Sequence, residues 1–147
     1  MSVAKGKAVL GADTIVVLEE KVLGKPKDEA DAVKMLTALS GKTHAVYTGV
    51  CLSVPKGDNR VEKIEVARTL VEFETLSTEK IKAYVKTGSP MDKAGAYGIQ
   101  GGAALFAEYL QGDYYNVMGL PVCRLWKMLS RLAPQLLENP VPQEALT

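Results

Sequence analysis

The sequence predicts an α/β fold, because strand-like and helix-like segments alternate along the chain without an internal repeat. Two segments, residues 8–18 and 43–54, are rich in valine and other apolar residues, as expected of buried strands. Between them, residues 28–39 carry apolar side chains at helical spacing. The chain has 147 residues, of which 47% are hydrophobic, so it corresponds to about one domain with a real core.

Charge and cysteine content limit the classes of partner. The 18 lysines and arginines nearly balance 17 acids, and a net charge of +1 gives no general case for binding nucleic acid or a membrane surface. Cys51 and Cys123 lie in apolar segments and are interpreted as buried structural thiols. The N-terminus lacks the apolar stretch of a signal peptide, and no segment reaches the ~18 apolar residues of a membrane helix. We therefore expect a cytoplasmic protein.

The first half of the chain predicts a hairpin followed by a helix. The strand over residues 8–18 ends in a turn at 19–21, and Pro26 limits the return strand that follows. Acidic residues then begin a helix at 28, and Gly41 ends it. A second strand over 43–54 completes this half.

The second half predicts a further strand pair and two helices. Turn-forming residues at 55–59 lead into a strand over 66–76, whose period-two pattern leaves one side facing water. Ser77 caps a short helix that ends near Gly88. A glycine-rich loop and a strand over 103–110 follow. Pro121 then begins a final helix through 132. The proline-rich segment 133–147 is predicted to be a disordered tail, which leaves 1–132 as the domain.

Asp13 and Thr14 form a polar pair inside an otherwise apolar strand. A buried carboxylate is costly unless it pairs with a cation, a metal or hydrogen-bond donors, or reaches a cleft. Such an acid can hold a divalent metal or deprotonate a water, and the adjacent threonine can contact a ligand. The competing interpretation is a pair that caps a neighbouring loop.

Two further segments carry groups suited to a phosphate ligand. Lys25 precedes a predicted helix N-terminus, where backbone amides favour anions, although these residues alone favour a solvated turn with ordinary surface lysines. The loop 92–101 offers Lys93 for phosphate, the amide of Gln100 for a base, and glycines for close backbone approach. It matches neither a Walker A nor a dinucleotide motif, and a purely structural loop is the alternative. His44, the only histidine, is interpreted as a strand residue with a satisfied polar edge and no catalytic role.

Five motifs along residues 8–130 resemble, in order and spacing, the Maf family of nucleoside triphosphate pyrophosphatases. They are Gly-Ala-Asp-Thr at 11–14, Gly-Lys-Pro-x-Asp at 24–28, Leu-Ser-Gly-x-Thr-His-x-Val-x-Thr-Gly at 39–49, Asp-Lys-Ala-Gly-Ala-Tyr-Gly-Ile-Gln-Gly at 92–101 and Gly-Leu-Pro at 119–121. The resemblance implies a fold related to the inosine triphosphate pyrophosphatases, with a central mixed twisted sheet flanked by helices and two lobes around a cleft. It also implies hydrolysis of a nucleoside triphosphate to the monophosphate and pyrophosphate, with Mg²⁺ or Mn²⁺.

The same resemblance assigns roles to individual residues. Asp13 matches the catalytic proton acceptor and is expected to contact the metal. Thr14 and Gln100 match positions tied to base selectivity, and their combination resembles the branch that acts on dTTP and UTP rather than on 7-methyl-GTP. Lys25, and less specifically Lys93, would face phosphate. The implied role is house-cleaning of pyrimidine nucleotides, including modified ones, by a protein that often forms homodimers.

The resemblance has one departure at the N-terminus. The family begins with a strand, a Ser-x-Ser-Pro-Arg-Arg motif and a helical region, whereas only ten residues precede Gly11 here. We therefore expect an N-terminally incomplete domain with an exposed sheet edge and apolar surface. Because the arginines would clamp the triphosphate, the alternative function is a catalytically impaired nucleotide-binding or dimerisation module.

Overall fold

The computed structural model describes residues 6–138 and confirms an α/β fold in which helices flank one five-stranded sheet. The strands are β1 (Val9–Leu18), β2 (Lys21–Leu23), β3 (Thr43–Lys56), β4 (Asn59–Phe73) and β5 (Ala107–Gln111). The helices are α1 (Glu29–Leu39), α2 (Thr78–Lys86), α3 (Tyr114–Met118) and α4 (Val122–Leu132). Within residues 6–138, every helix is too short or too polar to span a membrane.

The sheet has the order β2-β1-β3-β4-β5, and all four pairings are antiparallel where the resemblance implied a mixed sheet. Two of the pairs are tight hairpins, which can join only antiparallel strands. In the first hairpin, Glu19 and Glu20 both have positive φ, at 49° and 66°, as a two-residue turn of this kind requires. In the long β1–β3 pair, Thr14 lies opposite Thr48.

Capping residues place the helices where the sequence predicted them. The Asp28 carboxylate accepts a hydrogen bond from the backbone N–H of Asp31 (2.7 Å) and begins α1. Ser77 caps α2 in the same way, and Gly88 follows that helix with φ 76°. The predicted first hairpin and the predicted end of α4 at Leu132 are also confirmed.

Several predicted boundaries are wrong. The strand β4 begins at Asn59 rather than at 66, because the mostly polar residues before 66 also pair continuously with β3. The strand predicted over 103–110 begins at 107, after a 3-10 helix over Gly101–Leu105. The helix α3 was not predicted from the sequence. A 3-10 helix at Pro134–Leu137 opens the predicted tail, and residues 139–147 lie outside the described ones.

The core lies on one face of the sheet in two clusters. The larger packs the β3 end near Val46 against α1, α2 and the loop that carries Tyr97. The smaller packs Val50, Leu52 and Val54 of β3 against α4. On the opposite face, the described residues place no helix over Ile64 and Val66, which are 67% and 56% exposed. Cys123 is also exposed, so the prediction that both thiols are buried is wrong.

Candidate active site

A cavity of about 350 Å³ opens on the core face of the sheet. Its walls come from β1, the β2–α1 connection, the loop 92–100 and the C-terminal end of α3. The lining includes all five site residues that the sequence predicted, namely Asp13, Thr14, Lys25, Lys93 and Gln100. The fold therefore brings together, in one place, residues that lie up to 87 positions apart in the chain.

Asp13 lies at an open edge of β1. The partner strand β2 pairs with β1 only from Val16 onward, so within residues 6–138 no strand pairs with this edge at Asp13. The Asp13 Oδ1 atom accepts a hydrogen bond from the backbone N–H of Thr14 (3.0 Å). Asp13 is exposed, and this explains how an apolar strand carries a carboxylate without the cost of burying it.

The two lysines of the cavity lie close to a second acid. The backbone N–H of Gly95 donates to the carbonyl oxygen of Gly24 (3.1 Å), which holds the loop beside Lys25. Lys93 Nζ donates to Asp92 Oδ1 and to the Ser89 carbonyl oxygen, both at 2.8 Å. The Lys93 ammonium, with a smaller contribution from Lys25, holds the pKa of Asp92 below its usual value. A phosphate that binds Lys93 would therefore compete with the exposed Asp92 carboxylate.

Backbone conformation in the loop makes room for these groups. Gly95 and Ala96 both have positive φ, at 72° and 63°. A Cβ atom on Gly98 would lie 2.8 Å from Lys93 Cε, so only glycine lets the lysine chain cross this position undisturbed. The glycine-rich composition noted in the sequence thus places Lys93 as well as shaping the loop.

The loop is tied to the sheet through His44 and Tyr97. His44 Nε2 lies 2.6 Å from the Tyr97 hydroxyl, and His44 is only 2% exposed. Burial lowers the pKa of His44 to about 4 and raises the pKa of Tyr97. His44 Nδ1 is buried without a hydrogen-bond partner, so the expectation of a satisfied polar edge holds for one ring nitrogen only.

Two buried polar residues behind Thr14 were not predicted from the sequence to belong to the site. Thr14 Oγ1 lies 2.8 Å from Thr48 Oγ1, and the Thr48 hydroxyl donates to the backbone carbonyl oxygen of Asn116 (3.2 Å). Both Thr48 and Asn116 are fully buried. Thr48 stands within a motif already singled out and could have been found by its register opposite Thr14, whereas Asn116 gave no signal.

The carboxylates of Asp13 and Asp92 are the acidic groups that line the cavity, and residues 6–138 contain no cluster of three or more metal-ligating side chains. Magnesium is commonly held by one or two carboxylates together with substrate phosphates and water. The donor set therefore fits a metal that shares its coordination with a phosphate ligand, and does not fit an all-protein metal cage.

Comparison with known proteins assigns the chain to a family. A family model described as Maf-like protein matches residues 1–132. The relatives include proteins named dTTP/UTP pyrophosphatase. The one from Clostridium novyi is 48% identical over 90% of this chain and 75% of its own length. Those from Thermococcus gammatolerans and Symbiobacterium thermophilum are 52% and 55% identical over 84% and 86% of this chain.

The chain is shorter than these relatives. It covers 64% of the Thermococcus protein and 63% of the Symbiobacterium protein, which is less than two thirds of either length. The match nevertheless runs through every motif and every cavity-lining residue described above. The chain belongs to the Maf family.

Proposed function

We propose that this cavity hydrolyses nucleoside triphosphates, with dTTP and UTP as the preferred substrates, to the monophosphate and pyrophosphate. The observation that carries the proposal is the convergence of Asp13, two lysines and two polar side chains on one cavity. An acid beside two cations suits hydrolysis of a polyanion, and the remaining polar groups suit a base. The names of the relatives support the same substrates.

In the proposed reaction, the Asp13 carboxylate accepts a proton from a water molecule, whose oxygen attacks the α-phosphorus. The bond from that phosphorus to the bridging oxygen breaks, and pyrophosphate leaves with its electron pair. Lys25 and Lys93 hold the phosphate chain and offset the negative charge that develops. A divalent metal, when bound, would neutralise further phosphate charge, and Asp13 is the residue best placed to contact it.

The non-catalytic alternative rests on one observation. No arginine is among the residues that line the cavity, within the part of the chain that the structure describes. A clamp of guanidinium groups often supplies much of the electrostatic stabilisation in phosphate chemistry. The cavity would then bind a nucleotide without turning it over. The pyrophosphatase names of relatives near 50% identity favour the enzyme.

The test is pyrophosphate release from dTTP, UTP, CTP and 7-methyl-GTP, each with magnesium or manganese. We expect release from dTTP and UTP in a metal-dependent manner, with the nucleoside monophosphate as the second product. Tight binding of these nucleotides without any release would favour the non-catalytic module instead. The absence of both binding and release would end the proposal.

A further inference from the structure

Thr14 stands at the cavity end of a buried chain of hydrogen bonds. Its Oγ1 lies 2.8 Å from Thr48 Oγ1, which in turn lies 3.2 Å from the backbone carbonyl oxygen of Asn116. Thr48 and Asn116 are both 0% exposed, so water does not offer them alternative partners. Thr14 is half-buried and lines the cavity, so a ligand would meet the exposed end of this chain.

Each threonine hydroxyl has one proton, and this fixes the direction of the hydrogen bonds from Thr14 to Asn116. A carbonyl oxygen can only accept, so the single hydroxyl proton of Thr48 points to Asn116. The short contact between the two threonines is then a hydrogen bond only if Thr14 donates to Thr48. The reverse orientation would leave one of the two bonds unmade. With its own proton committed, Thr14 presents only oxygen lone pairs to the cavity.

Asn116 holds the far end of the chain in place. Its Nδ2 lies within hydrogen-bond distance of the carbonyl oxygens of Val46 (3.1 Å) and Ala67 (3.3 Å) and of Thr69 Oγ1 (3.0 Å). Its backbone carbonyl also accepts from the Gly119 N–H (3.0 Å), and a carbonyl oxygen has two lone pairs for these two donors. The acceptor that orients Thr48 is therefore part of a buried hydrogen-bond network, although Asn116 Oδ1 itself is buried without a partner.

We propose that Thr48 and Asn116 are positioning residues that fix Thr14 as a hydrogen-bond acceptor, so that the cavity selects bases presenting a ring N–H. Thymine and uracil carry this group at N3. Cytosine carries a lone pair at the same ring nitrogen, which would face the lone pairs of Thr14. The inference deepens the proposed function and rests on it, since it requires a pyrimidine nucleoside triphosphate bound in this cavity with its base against Thr14.

The test compares the binding and hydrolysis of UTP, CTP and 3-methyl-UTP, which has lost the N3 proton. Binding is measured by calorimetry with the full chain. We expect the wild type to prefer UTP over both others by roughly tenfold or more, the effect of one mismatched hydrogen bond. Thr48→Val keeps the side-chain volume but frees the Thr14 proton to donate, so the UTP to CTP ratio should fall towards one. Thr48→Ser keeps the hydroxyl and should retain the wild-type ratio.

A separate variant covers the case in which Thr48→Val does not fold. Thr14→Val removes the acceptor itself and should abolish the same preference. A Thr48→Val protein that folds and retains the wild-type ratio overturns the inference, as does a wild type that treats UTP and 3-methyl-UTP alike. A wild type that binds UTP selectively without releasing pyrophosphate supports the inference and contradicts only the proposed hydrolysis. A wild type that hydrolyses UTP, CTP and 3-methyl-UTP equally supports the proposed hydrolysis and overturns the inference.

Discussion

Lys93 and Gly98 show how a single missing side chain can shape the cavity. In Gly98→Ala, the new Cβ would lie 2.8 Å from Lys93 Cε and 2.9 Å from Lys93 Cδ, so the lysine chain must move. Because that chain is flexible, we expect a change of less than about 0.5 kcal/mol in the free energy of unfolding. Triphosphate binding should weaken by roughly tenfold, about 1.4 kcal/mol, as phosphate loses the cation.

Gly24→Ala is the matched control, since a Cβ there meets no atom within 4 Å and Gly24 has no positive φ. Triphosphate affinity and thermal unfolding should be measured for both variants. Equal affinities in Gly98→Ala and the wild type would show that the lysine position does not matter for binding.

His44 makes the stability of the fold depend on pH. Burial lowers its pKa from an ordinary 6.5 to about 4, so the unfolded chain binds this proton more readily than the folded chain does. The stabilising contribution is fully present above pH 6.5 and is lost as pH falls towards 4. The difference in pKa corresponds to about 3 kcal/mol.

His44→Gln tests this prediction, because an amide can still reach the Tyr97 hydroxyl but does not titrate. Denaturant unfolding between pH 4 and pH 7 should show a flatter profile for the variant. As His44 is the only histidine, its NMR titration gives an independent value. A pKa near 6.5 in the folded protein would contradict the burial argument.

At the scale of elements, the short helix α3 positions the polar network behind Thr14. The Asp113 carboxylate caps this helix by accepting from the N–H groups of Tyr115 (2.8 Å) and Asn116 (3.4 Å). We expect Asp113→Ala to lower the free energy of unfolding by about 1 kcal/mol, the usual cost of losing an N-cap. Asp113→Asn can keep the cap and should lose much less. A melting temperature unchanged by the alanine would show that α3 needs no cap.

The elements that the sequence predicted are those with long patterns or strong capping residues. The helix α1 has acids at its start, apolar residues at helical spacing and Gly41 after its end, and β3 is almost continuously apolar. By contrast, α3 has five residues, too few to show a 3.6-residue period, and it contains two adjacent tyrosines. Its role depends on Asn116, whose side chain forms hydrogen bonds with residues at least 47 positions away in sequence.

The residues of the candidate site could be predicted from the sequence, but the contacts between their side chains could not. Asp13, Lys25 and Gln100 were identifiable as polar groups in unusual places and by the family resemblance, and the fold places them around one cavity. The ion pair of Lys93 with Asp92 and the direction of the Thr14 hydrogen bond follow only from three-dimensional geometry. A sequence pattern does not show which hydroxyl donates its proton to which acceptor.

At the scale of the whole molecule, the face of the sheet opposite the core carries exposed apolar side chains. Ile64 and Val66 are exposed there, and apolar patches of this kind favour association. Replacing both with threonine should change the free energy of unfolding by less than about 0.5 kcal/mol each, because little burial is lost. Val50→Thr, on the buried face, should cost about 1 kcal/mol or more.

Sedimentation velocity at increasing concentration would show whether the double variant associates less than the wild type. Unchanged association would mean that another surface is responsible. The homodimer implied by the family resemblance stays a prediction, and the same measurement counts the copies in solution.

In the proposed reaction Asp13 is the group that activates water, and the pyrophosphate-release rate of Asp13→Asn at saturating UTP tests this role. Because Asp13 is exposed, the variant should fold normally while its rate falls by at least about 100-fold, the usual effect of losing a general base. Asp58→Asn, in the exposed β3–β4 turn, should keep the wild-type rate. A folded Asp13→Asn protein that releases pyrophosphate at the wild-type rate would show that Asp13 is not the general base.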